Sequence, residues 1–560
     1  MSIVLRILGA AAALAITFVI FTWPLLRHPA TTVLDAVSLY GPAAALVQRD
    51  INLTMWVLAW DSHALVTDPL HLFNANAFWP APYTLALSEH MLGNLPLFGP
   101  VYLLTGNPVL AHQTTLVASF VLSGLAMAWW IWFWTRDTTA ALAAGFLYAF
   151  APFRFWQLGN LHVVSTQYLP LVPLGIDLVL TTRRRVAGAC LLVAALVLST
   201  GCSYYVGYAA FALAGVYLPC AMLARGRASL ARLPLLLVAL AVSGGFLAAL
   251  SVPYVLLQHA GVITDHTKNF LSLAFMNALF SGPTGIFMRY VWPKHDGIPL
   301  FLGAVPMVLA LVGIARWRRA PRGALLAVAL TGFVLSLGPY LALSDGQIAL
   351  PYRWLGAIVP GFSAMRVPQR FASLVTLATV ALAGFGLASV RASLLAARRP
   401  RVALAIPWLA VAISIVALRP GYTQPLAMSV GASVPPAYRW LAEHGDGGPL
   451  LEVPSAAHHL QRESVAMYYS TAHWLPLANG YTPYPPTSYT NLMDAVMRLP
   501  DPAAMADIRA QQPGLRWLLV HTYRIPDDER AAWTSMLDGA GLRRIGEFDR
   551  MALYEFPTAQ

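Results

Sequence analysis

The sequence predicts a polytopic α-helical membrane protein of about eleven spans followed by an α/β domain, because a stretch of about 20 apolar residues is enough to cross the hydrocarbon core. Three observations predict it. Hydrophobic residues make up 58% of the 560 and charged residues only 11%, with a mean hydropathy of +0.61, where soluble domains carry about 25% charge. That composition excludes a cytosolic enzyme, a nucleic-acid binder and a disordered scaffold. Apolar runs of spanning length recur as far as Leu418 and then stop. Charge divides at the same place: fourteen acidic and ten basic residues lie from Gly421 onward, leaving ten acidic and twenty-six basic before it. The pI near 9.7 and net charge of +12 therefore belong to the apolar part, where Lys and Arg mark cytoplasmic loops.

The apolar runs fall near 7–25, 109–134, 138–153, 163–181, 186–201, 204–223, 233–257, 299–316, 323–342, 371–390 and 402–418. The first follows Arg6 but is long, lacks a small-residue cleavage site and precedes further spans, so it reads as a retained anchor. Four basic clusters fall on one side if the N-terminus is cytoplasmic: Arg183 to Arg185; Arg225, Arg227 and Arg232; Arg316 to Arg322; and Arg391 to Arg401. The segment 91–105, short and holding Pro96 and Pro100, would break that parity as a span and is expected as an interfacial or re-entrant helix on the outer side. The expected layout is an inner-membrane protein with a transmembrane domain over 1–420 and an extracytoplasmic domain over 421–560. Outer loops are expected at 27–90, 258–298 and 343–370. In the last part Pro435 to Glu443 reads as a helix, Pro449 to Val453 and Arg516 to His521 as strands, and Arg544 to Phe556 as a hairpin. Cys190, Cys202 and Cys220 lie in apolar runs, where cysteine acts as a small hydrophobe.

The acidic residues of the apolar part point to chemistry. Five of the ten lie in the first outer loop (Asp35, Asp50, Asp61, Asp68 and Glu89), three more are outside (Asp265, Asp296 and Asp345), and Asp137 and Asp177 fall towards the cytoplasm. A carboxylate at the outer face can take a proton from a hydroxyl or hold a cation that does. The plain alternative is that acids gather where basic residues are excluded. Trp56 and Trp60 share one helical face and suit the headgroup level, with Asp50 just ahead of them. Glu89 and His90 are candidate ligands, though a third is not nearby. Arg366 and Arg370, before a span, can present guanidinium forks to phosphate or anchor the helix that follows. Arg154 and His162 form a second candidate contact, and Lys268, Arg289, Lys294 and His295 a third. The segment from Tyr468 to Tyr489, with Tyr469 and His473, offers rings for sugar stacking.

These residues carry a resemblance. The chain resembles the GT-C superfamily of integral-membrane glycosyltransferases in the run from Arg49 to His63, in Ala151-Pro152-Phe153-Arg154-Phe155 with Leu161-His162, in Met365 to Phe371, and in Tyr468 to Trp474 running on to Asn479-Gly480-Tyr481. The resemblance implies a hexosyltransferase-type enzyme that moves a sugar, with inversion, from a polyprenyl-phosphate donor to a glycan, lipid or protein hydroxyl on the outer face. It implies Asp50 as the catalytic base, with Asp35 in reserve; the family's acid often follows Gly, whereas Arg49 precedes it here. Arg366, Arg370 and Arg154 are the expected donor-phosphate contacts. Trp56, Trp60, Asp61, Glu89, His90, His162, Tyr468, Tyr469 and His473 are the expected sugar or acceptor contacts. Membrane lipids are expected partners, nucleic acid is not, no cofactor is specified, and a divalent metal is left open. The alternatives are a transporter or flippase of lipid-linked glycan, which should carry ionisable residues inside its spans, and an inactive relative that only binds glycan.

Overall fold

The computed structural model describes residues 3–40, 44–263, 290, 300–318, 322–343, 346–418, 423–455 and 459–557. Asp265, Lys268, Arg289, Lys294, His295, Asp296 and Asp345 lie outside them.

Each expected run contains helix, though several only in part: 163–181 is broken between Val164 and Leu171, 299–316 is helical from Ala304, and the helix of 323–342 ends at Ser336, its last residues, from Tyr340, forming a strand. Among the described residues seven helices are long and apolar enough to cross a membrane, among them Pro108–Thr135, Arg185–Cys202 and Tyr204–Leu223, and Leu171–Thr181, Ala304–Arg316 and Arg322–Ser336 are shorter apolar ones. The chain is a multi-pass membrane protein. Helices suit that setting because their backbone polar groups are satisfied within the segment. Their starts are marked by side-chain caps. Asn107, Asp137 and Ser203 accept from Leu110, Ala140 and Tyr205 N–H, meeting donors that a helix N-terminus leaves open.

The Ala372–Ala396 helix sits centrally, with 89% of its apolar window buried. Glycines let neighbours reach its backbone. A Cβ on Gly313 would stand 2.0 Å from the Leu382 carbonyl oxygen, and one on Gly386 would stand 2.0 Å from that of Leu309. Small residues at such crossings permit the close packing that holds membrane helices together. The 91–105 segment contains the Leu95–Thr105 helix, eleven residues long, ended by Gly106 at φ +64°. It packs on Pro108–Thr135 and on the helix Ala44–Thr67.

After the last apolar helix the chain builds a four-stranded sheet. We number the strands of the protein β1 (Thr32–Leu34), β2 (Tyr340–Leu343), β3 (Gly346–Ala349), β4 (Pro425–Ala427), β5 (Leu450–Val453), β6 (Trp517–His521), β7 (Arg543–Phe548) and β8 (Met551–Glu555). The sheet order is β5-β6-β8-β7, with β5 parallel to β6 and the other pairs antiparallel. The helix Pro436–His444 precedes β5 and Arg530–Gly539 follows β6.

The first loop is tied to this C-terminal unit at three points. β1 pairs antiparallel with β4. The backbone of Asn76, Phe78 and Trp79 bonds to that of Leu477 and Asn479. The helix Leu460–Ser470 packs on Ala44–Thr67, where Asn52 Nδ2 donates to Ser464 Oγ at 3.3 Å.

Candidate active site

Asp50 lies in the second turn of Ala44–Thr67, not ahead of that helix as the sequence suggested. From Ile51 to Ala59 every residue of the helix is buried, because the bundle lies on one side and Leu460–Ser470 on the other. Asp50 itself is half-buried. The Tyr481 hydroxyl donates to its Oδ1 at 3.1 Å. Burial pushes its carboxyl above the usual range, against the Tyr481 hydrogen bond and the charges of Arg370, Arg366 and Arg49.

Those arginines are held by rings and not by carboxylates. The Arg370 guanidinium lies 4.3 Å from the Tyr205 ring centroid and that of Arg366 lies 5.6 Å from that of Tyr484. The Tyr205 hydroxyl accepts the backbone N–H groups of Arg366 at 2.7 Å and Val367 at 3.1 Å, which pins the turn. The Tyr484 hydroxyl donates to the Ala364 carbonyl at 2.9 Å. Neither guanidinium makes an ion pair or hydrogen bond among the described residues, so both keep their N–H forks. Both are half-buried.

Glu89 joins the same field. Its carboxylate accepts from Ser203 Oγ at 2.9 Å and from Tyr204 N–H at 2.8 Å, at the start of Tyr204–Leu223, where negative charge is favoured. Burial raises its pKa, opposed by those two bonds and by Arg370 and Arg366. The charges of these two arginines reach His162 as well. Asp50, Glu89, His162, Arg366 and Arg370 thus share one electrostatic neighbourhood.

Other expected site residues stand elsewhere. The Arg154 guanidinium is buried among hydroxyls, donating to Ser123, to Thr166 at 2.9 Å and to Ser119 at 3.2 Å. Trp56 is enclosed by the protein: it is 1% exposed and its indole N–H donates to Asn76 Oδ1 at 3.0 Å. Trp60 bonds the Leu72 carbonyl and meets Trp474 edge-on at 5.8 Å. Asp61 is fully buried, and neither oxygen has a partner among the described residues; burial pushes its carboxyl well above the usual range. His90 is buried between Tyr204 and Tyr254, and burial lowers it to about 3. Asp35 closes a turn by accepting Val37 N–H at 3.0 Å. Tyr468 donates to the Ser429 carbonyl at 2.9 Å. Tyr469 and His473 both stack on Tyr438, at 4.7 and 6.1 Å, within the C-terminal unit. Among the described residues no group of three or more His, Cys, Asp or Glu side chains could hold a metal ion.

Tyr481, which sequence reasoning named only at the end of the Asn479-Gly480-Tyr481 run, and Tyr484 and Tyr205, which it did not name, were given no site role. The first two lie in the aromatic segment singled out above, whereas Tyr205 carries no signal at the start of an apolar helix. Glu463 was missed too. It accepts from Gly480 N–H at 2.8 Å, Asn479 Nδ2 at 3.2 Å, Tyr489 Oη at 3.1 Å and Ser455 Oγ, and so sets the loop that brings Tyr481 to Asp50.

Solved structures share this architecture. The arabinofuranosyltransferase AftD from Mycobacteria superposes with a TM-score of 0.52 at 16% identity, over 94% of this chain and 41% of that one. A mutant of AftD superposes with a TM-score of 0.58 at 15% identity, over 98% of this chain and 41% of that one. The chain shares the fold of this arabinofuranosyltransferase. It spans about two fifths (41%) of the arabinofuranosyltransferase's length. An Archaeoglobus fulgidus oligosaccharyltransferase aligns at 14% identity with a TM-score of 0.45, over 94% of this chain and 69% of its own. No family model matches the chain, and no curated protein matches it in sequence.

Proposed function

We propose that the protein is a glycosyltransferase that moves a sugar, with inversion, from a polyprenyl-phosphate donor to an acceptor hydroxyl on the extracytoplasmic face. The carrying observation is Asp50 held by Tyr481 beside two arginines with open forks. The ionised carboxylate takes the proton of the acceptor hydroxyl as its oxygen bonds to the anomeric carbon. The bond from that carbon to the phosphate oxygen breaks, and its electron pair leaves with the polyprenyl phosphate. Arg366 and Arg370 meet the growing negative charge, the stabilisation that preorganised donors supply best. Attack opposite the leaving group inverts the centre.

The transporter alternative is not favoured. Among the described residues of the candidate membrane-crossing and shorter apolar helices, Asp177 is the one carboxylate buried inside a helix, and its oxygens are occupied by Trp130, Trp134, Tyr217 and Arg225. A carboxylate so occupied serves packing and not a moving ion.

The reading is tested by incubating the purified protein in proteoliposomes with a panel of polyprenyl-phosphate sugars and extracted cell-envelope acceptor. Transfer with the opposite anomeric configuration in product and donor is expected. Retained configuration, or movement of intact lipid-linked sugar across the bilayer without transfer, would overturn it.

A further inference from the structure

The C-terminal unit carries ten arginines on a net negative segment, and their partners sort them. Arg498, Arg516, Arg530, Arg543 and Arg544 each pair with a carboxylate. Arg439 and Arg509 donate to the Val434 and Ala540 carbonyls. Three remain, Arg462, Arg524 and Arg550, with neither a carboxylate nor a carbonyl accepting from the guanidinium among the described residues.

Two of these three converge on one ring. The guanidinium groups of Arg524 and Arg550 each lie 5.3 Å from the centroid of Tyr523, and the Arg524 Nε donates to the Tyr523 hydroxyl at 3.1 Å. Burial and the charge of Arg524 lower the Arg462 pKa, against the opposing charges of Tyr523 and Glu463. The charges of Glu463 and Glu452 reach Arg462 and Arg524, but no carboxylate forms an ion pair with any of the three among the described residues, so their mutual repulsion is not met by direct pairing.

Their place in the fold explains what could use them. Tyr523 and Arg524 follow the carboxyl end of β6. Arg462 stands in the first turn of Leu460–Ser470, the helix after β5. Arg550 lies in the turn before β8, whose Met551 pairs with His521 at that same end of β6. The carboxyl ends of parallel strands are where open α/β sheets take ligands, and a helix N-terminus favours an anion there. A buried group points the same way. His521 is 2% exposed and its ring meets Tyr523 edge-on at 5.6 Å; Glu452 holds Nε2 at 2.8 Å, while Nδ1 has no partner among the described residues.

We propose that Arg524 and Arg550, on the Tyr523 ring, together with Arg462 in the first turn of Leu460–Ser470, form a binding site for a phosphate or carboxylate group. Guanidinium forks meet such groups through paired, charge-assisted hydrogen bonds. The ligand bearing the anion is an acidic glycan, a free phosphate or a lipid headgroup, three sources of one chemistry. Arg462 adjoins Glu463, which sets the Tyr481 loop, so an anion bound here sits one residue from the support of Asp50. Binding at these arginines does not require transfer at Asp50, and the two are measured separately.

The full-length protein in detergent is titrated with inorganic phosphate and with glucuronate by calorimetry, and with phosphatidylglycerol against phosphatidylcholine vesicles by flotation. Saturable binding of at least one anion is expected, weakened about tenfold or more in the Arg524→Ala/Arg550→Ala variant through the loss of charge-assisted bonds. Arg498→Ala, an exposed arginine of the same unit, should bind as the wild type does. Response to phosphatidylglycerol alone assigns the anion to a headgroup; response to phosphate or glucuronate assigns it to a soluble or glycan-borne group. If the double variant does not fold, Arg462→Gln is expected to show the same weakening. No binding of any of the three anions, or equal weakening by Arg498→Ala, would overturn the site.

Discussion

Asp177, in Leu171–Thr181, accepts the indole N–H groups of Trp130 at 3.1 Å and Trp134 at 2.8 Å and the Tyr217 hydroxyl at 2.8 Å, and pairs with Arg225 at 3.2 Å. Asp50 has a single side-chain donor, Tyr481, and its arginines are held at a distance on aromatic rings. Both carboxylates live in an acid-poor helical protein near guanidinium groups. The difference lies in what is left over. Asp177 has spent its capacity on the fold and fastens helices together, whereas Asp50 and its arginines keep unused acceptor and donor capacity among the described residues, which the proposed function gives to a ligand.

The largest effect should come from removing both open forks. Arg366→Gln with Arg370→Gln deletes contacts to charged oxygen worth about 1.5–3 kcal/mol each, so transfer should fall by about two to four orders of magnitude. The same substitutions should leave thermal unfolding in detergent almost unmoved. Asp177→Asn should do the reverse. It leaves Arg225 part-buried without its counter-ion, a loss of about 3 kcal/mol or more, read as a lower unfolding midpoint with turnover per folded molecule retained.

Tyr481→Phe sharpens the contrast on the Asp50 side. One hydrogen bond to a charged group is worth about 1.5 kcal/mol or more, so turnover should drop about tenfold with donor affinity unchanged. The smallest effect is on pH. Because burial raises the Asp50 pKa, the inactive protonated form extends above the ordinary carboxylate range, and transfer should fade as pH drops through that raised value. Arg366→Gln alone removes a charge that lowers this pKa, so the acid limb of the pH–rate profile should move to higher pH. A limb that stays in place would detach Arg366 from Asp50.

Much of this contrast was legible in the sequence, and the reasons it was incomplete are physical. The apolar runs became helices because a hydrocarbon environment leaves the backbone little else, so 109–134 appears as Pro108–Thr135. Asp50, Glu89, Arg366 and Arg370 stood out as charges where charges are scarce. Arg154 and Arg370 read alike, each beside a phenylalanine at the edge of an apolar run. Only the fold tells them apart, because Ser119, Ser123 and Thr166, which occupy Arg154, come from other segments. Trp56 misled for a similar reason. An indole suits an interface and an interior equally, and Asn76, which accepts its N–H, lies twenty residues on. Tyr481 reaches Asp50 across 431 residues, a contact that no local spacing encodes.

The claim that Asp50, unlike Asp177, is kept for chemistry is tested most directly by Asp50→Asn in proteoliposomes saturated with polyprenyl-phosphate sugar, followed through a single turnover. Loss of general-base catalysis predicts transfer slower by about two to four orders of magnitude, with folding and donor binding intact. Transfer within a few-fold of the wild-type rate would contradict the account.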